Sequence, residues 1–254
     1  MRRCLLVLLA ACGSSPDHAA TDAPIVVQID APIAPIAIDG PAGVPLAGFG
    51  DLSGMCGVLQ DMELDAGTAP QQVLVDFNWT TGYVDPDDRP QLTAGGQHMA
   101  ATPNAGGSSG LSEIFAYEEL ARCELATFLK SETEIVYDPP TSKKTDLEIM
   151  LDGHKLGVSV TRAFKGPLGS GPLDMAAAVE LSNRKFSEIH DSTAGTATTA
   201  DKWDKQILAV LSDNADDTTT FLAATATLDP SVIGDTILVL TTTDGDDAFI
   251  YTNQ

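Results

Sequence analysis

Basic residues are scarce in this chain of 254 residues. It has 14 Lys and Arg residues against 36 Asp and Glu residues, which gives a formal net charge of −22. No basic cluster is larger than a pair such as Lys143-Lys144. Nucleic-acid-binding proteins usually carry a basic patch on one face, so the composition argues against a nucleic-acid partner. A strongly acidic surface repels phosphate groups and keeps an exported protein soluble.

Long apolar runs are also missing, and so is any hydrolase or metal motif in the sequence context that it requires. After the first dozen residues, no apolar segment approaches the roughly 20 residues that a membrane-spanning helix needs. The one Gly-x-Ser-x-Gly, at Gly106–Gly110, lies in a glycine-rich loop that no clear strand precedes, so the sequence does not predict a hydrolase with a nucleophile elbow. Its four histidines show no metal-ligand spacing. The acidic segment Asp244–Asp247 lacks the EF-hand ligand series and favours a turn over a calcium loop.

The N-terminus has the pattern of an export signal. Arg2 and Arg3 precede a short apolar run that ends in the tetrapeptide Leu9–Cys12 (LAAC), which is typical of a secretory signal. The tetrapeptide resembles the lipobox of bacterial lipoproteins, where the cysteine receives a diacylglycerol and becomes the new N-terminus. The resemblance implies a signal peptide over residues 1–11, lipidation of Cys12, and membrane lipid as a partner. The alternative is an ordinary signal peptide that contains a cysteine.

The lipobox also implies a location and a domain order. A diacyl anchor supplies two chains, enough for stable attachment, so we expect the protein in the cell envelope, periplasmic or surface-facing. Residues 12–49 are rich in Ala, Pro and Asp and predict a flexible tether. We expect an irregular N-terminal extension over residues 50–110 and an α/β core over 111–254.

Four cysteines leave one candidate disulfide. Cys4 is removed with the predicted signal and Cys12 carries the predicted lipid, so Cys56 and Cys123 remain. An even pair in an exported, oxidising setting predicts a disulfide. The alternative is two separate buried thiols.

Periodicity predicts the elements of the core. Apolar residues at helical spacing predict helices over residues 92–99, 111–130, 173–190, 201–211 and 222–228. Segments rich in β-branched and apolar residues predict strands over residues 72–79, 132–137, 145–151, 156–164, 235–242 and 248–252. The predicted fold class is therefore α/β.

A hairpin in the middle of the core has a testable register. A two-residue turn at Asp152-Gly153 is a strong hairpin motif. It predicts that Ile149 pairs with Leu156 and that Leu147 pairs with Val158. These apolar residues then share one face, as a half-buried hairpin requires.

The other face of this hairpin places Asp146 opposite Ser159. This layout resembles the PD-(D/E)XK nuclease superfamily, whose restriction-endonuclease-like three-layer core has a helix, a β-hairpin sheet and further helices. In that family an Asp and a Glu-x-Lys on the neighbouring strand hold Mg²⁺ and position the attacking water. Asp146 matches the Asp, Ser159 and Thr161 stand where Glu and Lys would be, and Glu113 matches an acidic helix residue of some members.

The departure from that family's pattern decides the functional prediction. Ser159 and Thr161 are neutral and hold a hard divalent ion poorly. Asp146, Glu148 and Glu113 would form a weak Mg²⁺ site if they converge. The sequence therefore favours a non-catalytic binding or envelope module on a degenerate nuclease-like scaffold, with no cofactor. The alternative is an atypical metal-dependent nuclease or phosphodiesterase, and the simplest interpretation is that Asp146 and Glu148 form a solvated hairpin face.

Overall fold

The structure, a computed structural model, describes residues 44–45, 48–65, 72–104 and 109–252. The predicted signal peptide, Cys12 and most of the predicted tether lie outside these residues. The strands are β1 (Val44–Pro45), β2 (Gly50–Gly54), β3 (Gln72–Trp79), β4 (Thr127–Ser131), β5 (Leu147–Leu151), β6 (His154–Ala163), β7 (Lys205–Ser212) and β8 (Ile237–Gly245). The helices are α1 (Asp61–Asp65), α2 (Ala94–Ala101), α3 (Gly110–Cys123), α4 (Met175–Thr196), α5 (Ala215–Thr225), α6 (Pro230–Ile233) and α7 (Ala248–Thr252), with one 3₁₀ turn at Arg89–Gln91.

All eight strands belong to one mixed sheet, in the order β1-β2-β3-β8-β7-β6-β5-β4. Its four central strands are parallel, and the strands on either side are antiparallel. One apolar core holds side chains of α2, α3 and α7, and a second holds side chains of α4 and α5. The result is a three-layer α/β arrangement, which confirms the predicted fold class. In the described part of the chain, no helix is both long and apolar enough to cross a bilayer.

The predicted helix over residues 201–211 is wrong. Residues Lys205–Ser212 form β7, which lies between β6 and β8 near the middle of the sheet. Every residue of β7 is buried, because helix α3 covers one face of this strand and helices α4 and α5 cover the other. A strand buried on both faces reads as a continuous apolar run without alternation. Such a run cannot be distinguished from a buried helix by periodicity alone.

Two further boundaries differ from the predictions. The helix expected over residues 111–130 ends at Cys123, and Leu125 adopts a left-handed backbone conformation with a φ of 60° that separates α3 from β4. The strand therefore begins at Thr127, and residues 132–137 form turns and irregular structure instead of the expected strand. The last predicted strand is also wrong, because residues 248–252 form α7, whose aromatic side chains pack into the core.

The segment before residue 111 is more regular than expected. The predicted strand Gln72–Trp79 is confirmed as β3, with strictly alternating burial. It is not part of an irregular extension, because it pairs in parallel with β8 from Gln72 opposite Leu238 to Trp79 opposite Gly245. This pairing joins segments far apart in sequence, so no local pattern reveals it.

The predicted hairpin register and the predicted disulfide are both present. Leu147 lies opposite Val158 and Ile149 opposite Leu156 in the β5–β6 pair. Cys56 and Cys123 form a disulfide across 67 positions of the sequence. The bridge joins the segment that follows β2 to the last residue of α3.

Candidate functional site

A cavity of about 480 Å³ opens beside the N-terminal end of α3. We call it the acidic cleft. It is lined by Tyr83 and Asp85, by residues within 99–104 at the end of α2, by residues within 110–114 of α3, and by Ser131, Glu132 and Asp146. More of its wall is apolar than polar. A mostly apolar cavity with a few converging polar groups is the usual form of a ligand site.

Glu113 lies in the first turn of α3 and is only 6% exposed. Its carboxylate accepts hydrogen bonds from the Ser109 hydroxyl and from the Asn104 amide, at 3.1 and 3.2 Å for the latter. Burial raises the pKa of Glu113, and these hydrogen bonds oppose the rise. A carboxylate in the first turn of a helix is also stabilised by the helix dipole. Glu113 is therefore held in place on the cleft wall.

Asp146 is the residue directly before β5, and its side chain lines the same cleft. Its backbone N–H donates to the Val158 carbonyl at 3.1 Å, but Val158 is the register partner of Leu147, so the regular pairing of the hairpin ends there and does not include the predicted pair of Asp146 with Ser159. Its Oδ2 accepts a hydrogen bond from the Val160 N–H and a weaker one, 3.3 Å long, from the Ser159 hydroxyl. Burial, followed by repulsion from Glu113, raises the pKa of Asp146 to about 6. The two predicted residues Glu113 and Asp146 therefore converge.

Lys185 is a basic residue near both carboxylates that no sequence motif indicated. Its ammonium group donates to the Val160 carbonyl at 3.5 Å, beside Asp146. Its charge lowers the pKa of both Asp146 and Glu113. A sequence pattern could have revealed it, since Lys185 falls on the helical stripe formed by the buried residues Ser182 and Ile189 of α4. A lysine on a buried stripe commonly has a nearby acidic partner.

Glu148 does not join the cleft. Its side chain is 1% exposed, and Lys155 Nζ lies 3.4 Å from its Oε1. Burial raises the pKa of Glu148, Lys155 lowers it, and Asp201 raises it. Asp201 in turn binds Lys130 with a distance of 2.6 Å between Nζ and Oδ1. Glu148 therefore belongs to a separate buried charge network, and the interpretation of a solvated hairpin face is wrong for this residue.

The two strand residues at the family's Glu and Lys positions lie outside the cleft wall. Ser159 is buried and uses its hydroxyl on Asp146, while Thr161 is half-buried on the same strand. Arg162, the next residue of β6, donates to the Ile250 carbonyl at 2.9 Å, and its charge interacts with Glu113. Neither Ser159 nor Thr161 adds a charged group to the cleft.

The carboxylate oxygens of Glu113 and Asp146 are poorly suited to hold a Mg²⁺ ion. Magnesium takes oxygen ligands in near-octahedral geometry and is usually held by carboxylates that are free to coordinate it. Here both oxygens of Glu113 and one oxygen of Asp146 already accept hydrogen bonds from the protein. Among the described residues, no group of three or more His, Cys, Asp or Glu side chains is arranged to hold a metal ion. The cleft does not supply the ligands on which the nuclease resemblance depends.

Comparison with known proteins gives one partial likeness. No family model matches the chain, and no solved structure matches it. A stretch of 121 residues, 47% of this chain, is 38% identical to the AAC-rich mRNA clone AAC4 protein of Dictyostelium discoideum. The match covers 18% of that protein, so the chain spans less than a fifth of its relative. That protein's name states no activity, and the likeness carries none to this chain.

Proposed function

We propose that this chain is a membrane-anchored bacterial lipoprotein whose core binds a ligand in the acidic cleft without cleaving it. The single observation that carries the proposal is that the Asp146 carboxylate is already hydrogen-bonded within the protein. Its Oδ2 is held by the Val160 N–H and the Ser159 hydroxyl, at the strand where the nuclease family would place Glu-x-Lys. A cleft with a ligand-sized volume and no assembled catalytic set is suited to binding.

The order of elements supports a nuclease-like scaffold as the origin of this core. Helix α3 is followed by three strands in a meander, β4, β5 and β6, and then by α4 and β7, which pairs in parallel with β6. This is the helix, hairpin, helix and strand order that the resemblance implies. Because a fold hosts many functions, the proposal rests on the cleft and not on this order.

The proposed envelope location rests on the lipobox and on the disulfide. The tetrapeptide Leu9–Cys12 supports lipidation at Cys12, and the Cys56–Cys123 disulfide is in keeping with an exported protein, because such bonds persist in oxidising compartments. Membrane lipid at Cys12 is therefore the one partner that we propose from the sequence.

The alternative, a metal-dependent phosphodiesterase, is favoured by one specific observation. Glu113 and Asp146 line the same cleft, and the positive charge of Lys185 lies near both. The net charge of −22 and the poor donor set oppose it, since a polyanionic substrate would be repelled.

A cleavage assay separates the two functions. The full chain with Cys12→Ser, which removes the proposed lipid, is incubated with labelled DNA and RNA in the presence of Mg²⁺ or Mn²⁺. We expect no turnover above that of the Asp146→Asn variant. Metal-dependent cleavage that is lost in Asp146→Asn and retained in the control Asp87→Asn, an exposed acid outside the cleft, would overturn the binding proposal in favour of the enzyme.

A further inference from the structure

One asparagine of the chain lies in the acceptor motif for N-linked glycans. Asn78 is followed by Trp79 and Thr80, and Asn-x-Ser/Thr, with x other than proline, marks glycosylation sites in exported proteins. The other four asparagines of the chain have no Ser or Thr two positions later. Asp76 stands two positions before Asn78, where bacterial oligosaccharyltransferases favour an acidic residue. The motif therefore singles out Asn78, and its surroundings in the fold decide whether a glycan can be accommodated there.

The side chain of Asn78 lies on an open part of the sheet. Burial alternates strictly along β3, and Asn78 belongs to the exposed set together with Leu74. Leu74 is the register partner of Leu240, which packs in the core beneath α4 and α5. These two helices therefore lie on the same face of the sheet as Asn78, but they cover β6, β7 and β8 and leave the residues of β3 on that face exposed. A glycan on Asn78 would extend into solvent without displacing a helix.

The neighbouring strands leave room around this side chain. Asn78 lies opposite Asp51 of β2 and opposite Asp244 of β8, and both aspartates are exposed. Residues that are directly opposite each other in a sheet share a face, so short polar side chains flank Asn78 on both sides. An ionised carboxylate is a hydrogen-bond acceptor, and the hydroxyl groups of a sugar are donors. The surface next to Asn78 is therefore compatible with an attached carbohydrate.

In the folded chain, neighbouring strands already engage the motif. The backbone N–H and the hydroxyl of Thr80 both donate to the Phe49 carbonyl, at 2.7 and 3.1 Å. The backbone of Asn78 lies between β2 and β8. An oligosaccharyltransferase has to contact this hydroxyl and the Asn78 amide, so it needs the chain before β3 is paired. Because β8 is the last strand that the structure describes, β3 cannot obtain this partner until most of the chain has been made.

We propose that Asn78 carries an N-linked glycan that is attached during export, before β3 pairs with β8. In the transfer, the side-chain amide nitrogen of Asn78 forms a bond to C1 of a sugar and gives up one proton. The bond between that carbon and the phosphate of a lipid-linked donor breaks, and the lipid phosphate leaves with the electron pair. This inference rests on the export that the proposed function includes, and it adds a covalent modification that does not involve the acidic cleft.

The first measurement is the mass of the exported protein. The chain is isolated from the membranes of the cells that encode it and is digested, and the peptide that contains Asn78 is analysed by tandem mass spectrometry. We expect this peptide to carry the added mass of an oligosaccharide, with fragments that locate it on Asn78. A peptide that has only its sequence mass in every copy overturns the proposal.

Four variants expressed in the same cells test the motif. Asn78→Gln removes the acceptor and Thr80→Val removes the hydroxyl, so both should lose the added mass. Thr80→Ser keeps the hydroxyl, and Asn183→Gln changes an exposed asparagine outside the motif, so both should retain it. Asn78→Gln alters one exposed side chain and keeps the test valid if Thr80→Val, which also loses the hydrogen bond to Phe49, does not fold. Added mass that persists in Asn78→Gln overturns the proposal.

The order of transfer and folding has its own test. Unmodified full chain from a host without an oligosaccharyltransferase is purified in the folded state and incubated with the enzyme and a lipid-linked donor. A synthetic peptide of residues 72–84 serves as the unpaired form of the motif. We expect transfer to the peptide and none to the folded chain, because pairing of β3 engages the backbone and the Thr80 hydroxyl. Equal transfer to both overturns the proposed order.

Palmitate labelling in the same cells separates this inference from the function on which it rests. A chain that is labelled on Cys12 but carries no sugar on Asn78 overturns the glycosylation inference and leaves the lipoprotein proposal in place. A chain that carries the sugar but no palmitate overturns the proposed anchor and leaves the glycan in place, because transfer requires export and not lipidation.

Discussion

The Glu124 carboxylate accepts a hydrogen bond from the backbone N–H of Leu59 at 2.9 Å, directly beside the Cys56–Cys123 disulfide. Its other oxygen accepts from the Gly57 N–H at 3.0 Å. Burial raises the pKa of Glu124, and these backbone hydrogen bonds lower it. One covalent bond and two hydrogen bonds therefore fasten the segment after β2 to the end of α3, the helix that also carries Glu113.

Removing the disulfide should destabilise the whole domain. For a bridge that spans 67 positions, restriction of the unfolded chain contributes about 4 kcal/mol. We expect Cys56→Ser combined with Cys123→Ser to lower the free energy of unfolding by about that amount, measured by guanidinium titration without reductant. Titration of the unmodified chain in reductant serves as the control. A change below about 1 kcal/mol would show that the bridge constrains neither state appreciably.

A buried acid in helix α3 should make the free energy of unfolding depend on pH. Glu119 is buried between α3 and β8, and its Oε2 accepts a hydrogen bond from the Thr241 hydroxyl at 2.7 Å. Burial raises its pKa from 4.5 to about 8, and Glu124 adds to the rise. The folded chain therefore keeps a proton that the unfolded chain has lost between about pH 4.5 and pH 8.

The sign of the effect follows from proton linkage. When the folded state holds more protons than the unfolded state, the free energy of unfolding falls as pH rises. The stabilisation that comes from protonated Glu119 in the folded state is complete below pH 4.5 and is lost by about pH 8. Glu119→Gln should remove it, so the variant should lose less stability than the parent between pH 5 and pH 8 in urea titrations. Parallel stability curves for the two proteins would contradict the prediction.

Local sequence patterns account for the hairpin and the disulfide but not for the centre of the sheet. The Asp152-Gly153 turn sets the register of β5 and β6, and its residues are adjacent in sequence. By contrast, β3 becomes central only because it pairs with β8, at the other end of the chain. Burial of β7 on both faces likewise depends on helices from other segments, so its apolar run could not be assigned from periodicity.

In the candidate site, too, the sequence predicted some residues correctly and misplaced another. Sequence comparison with a known motif selected Asp146 and Glu113, and the fold brings them to one cleft. Glu148 was selected from the predicted hairpin register, on the same face as Asp146, yet its side chain pairs with Lys155 and lies near Asp201 instead. The difference arises because the loop before β7 covers that part of the sheet and supplies Asp201, which no pattern in the hairpin indicates.

One glycine in β6 should be intolerant of any side chain. A Cβ atom at Gly157 would lie 2.7 Å from the indole ring of Trp203, which packs over the strand. We expect Gly157→Ala to lower the free energy of unfolding by about 1–3 kcal/mol through overpacking. Thermal unfolding followed by circular dichroism measures the effect. As a matched control, a Cβ atom at Gly110, at the start of α3, would lie 3.8 Å from Asn104 Nδ2, an ordinary contact distance. Gly110→Ala should therefore be neutral or slightly stabilising, since Ala favours a helix.

The lipidation proposal has a direct cellular test. Cys12→Ser removes the thiol that would carry the diacylglycerol, and two acyl chains are what hold such a protein on a membrane. We expect the parent chain, expressed in a bacterial host, to incorporate labelled palmitate and to enter the detergent phase of a phase-partition assay. The variant should remain in the aqueous phase without label. Equal partition of parent and variant would refute the anchor.

The charges around Asp146 predict how its pKa responds to substitution. Burial and the neighbouring Glu113 raise this pKa to about 6, while Lys185 lowers it. Glu113→Gln should therefore shift the pKa of Asp146 downward, and Lys185→Met should shift it upward, each measured from the carboxyl carbon resonance of Asp146 as pH is varied. The exposed Asp87→Asn should leave it unchanged. If the pKa of Asp146 were the same in the parent, in Glu113→Gln and in Lys185→Met, neither neighbouring charge would act on this carboxyl group.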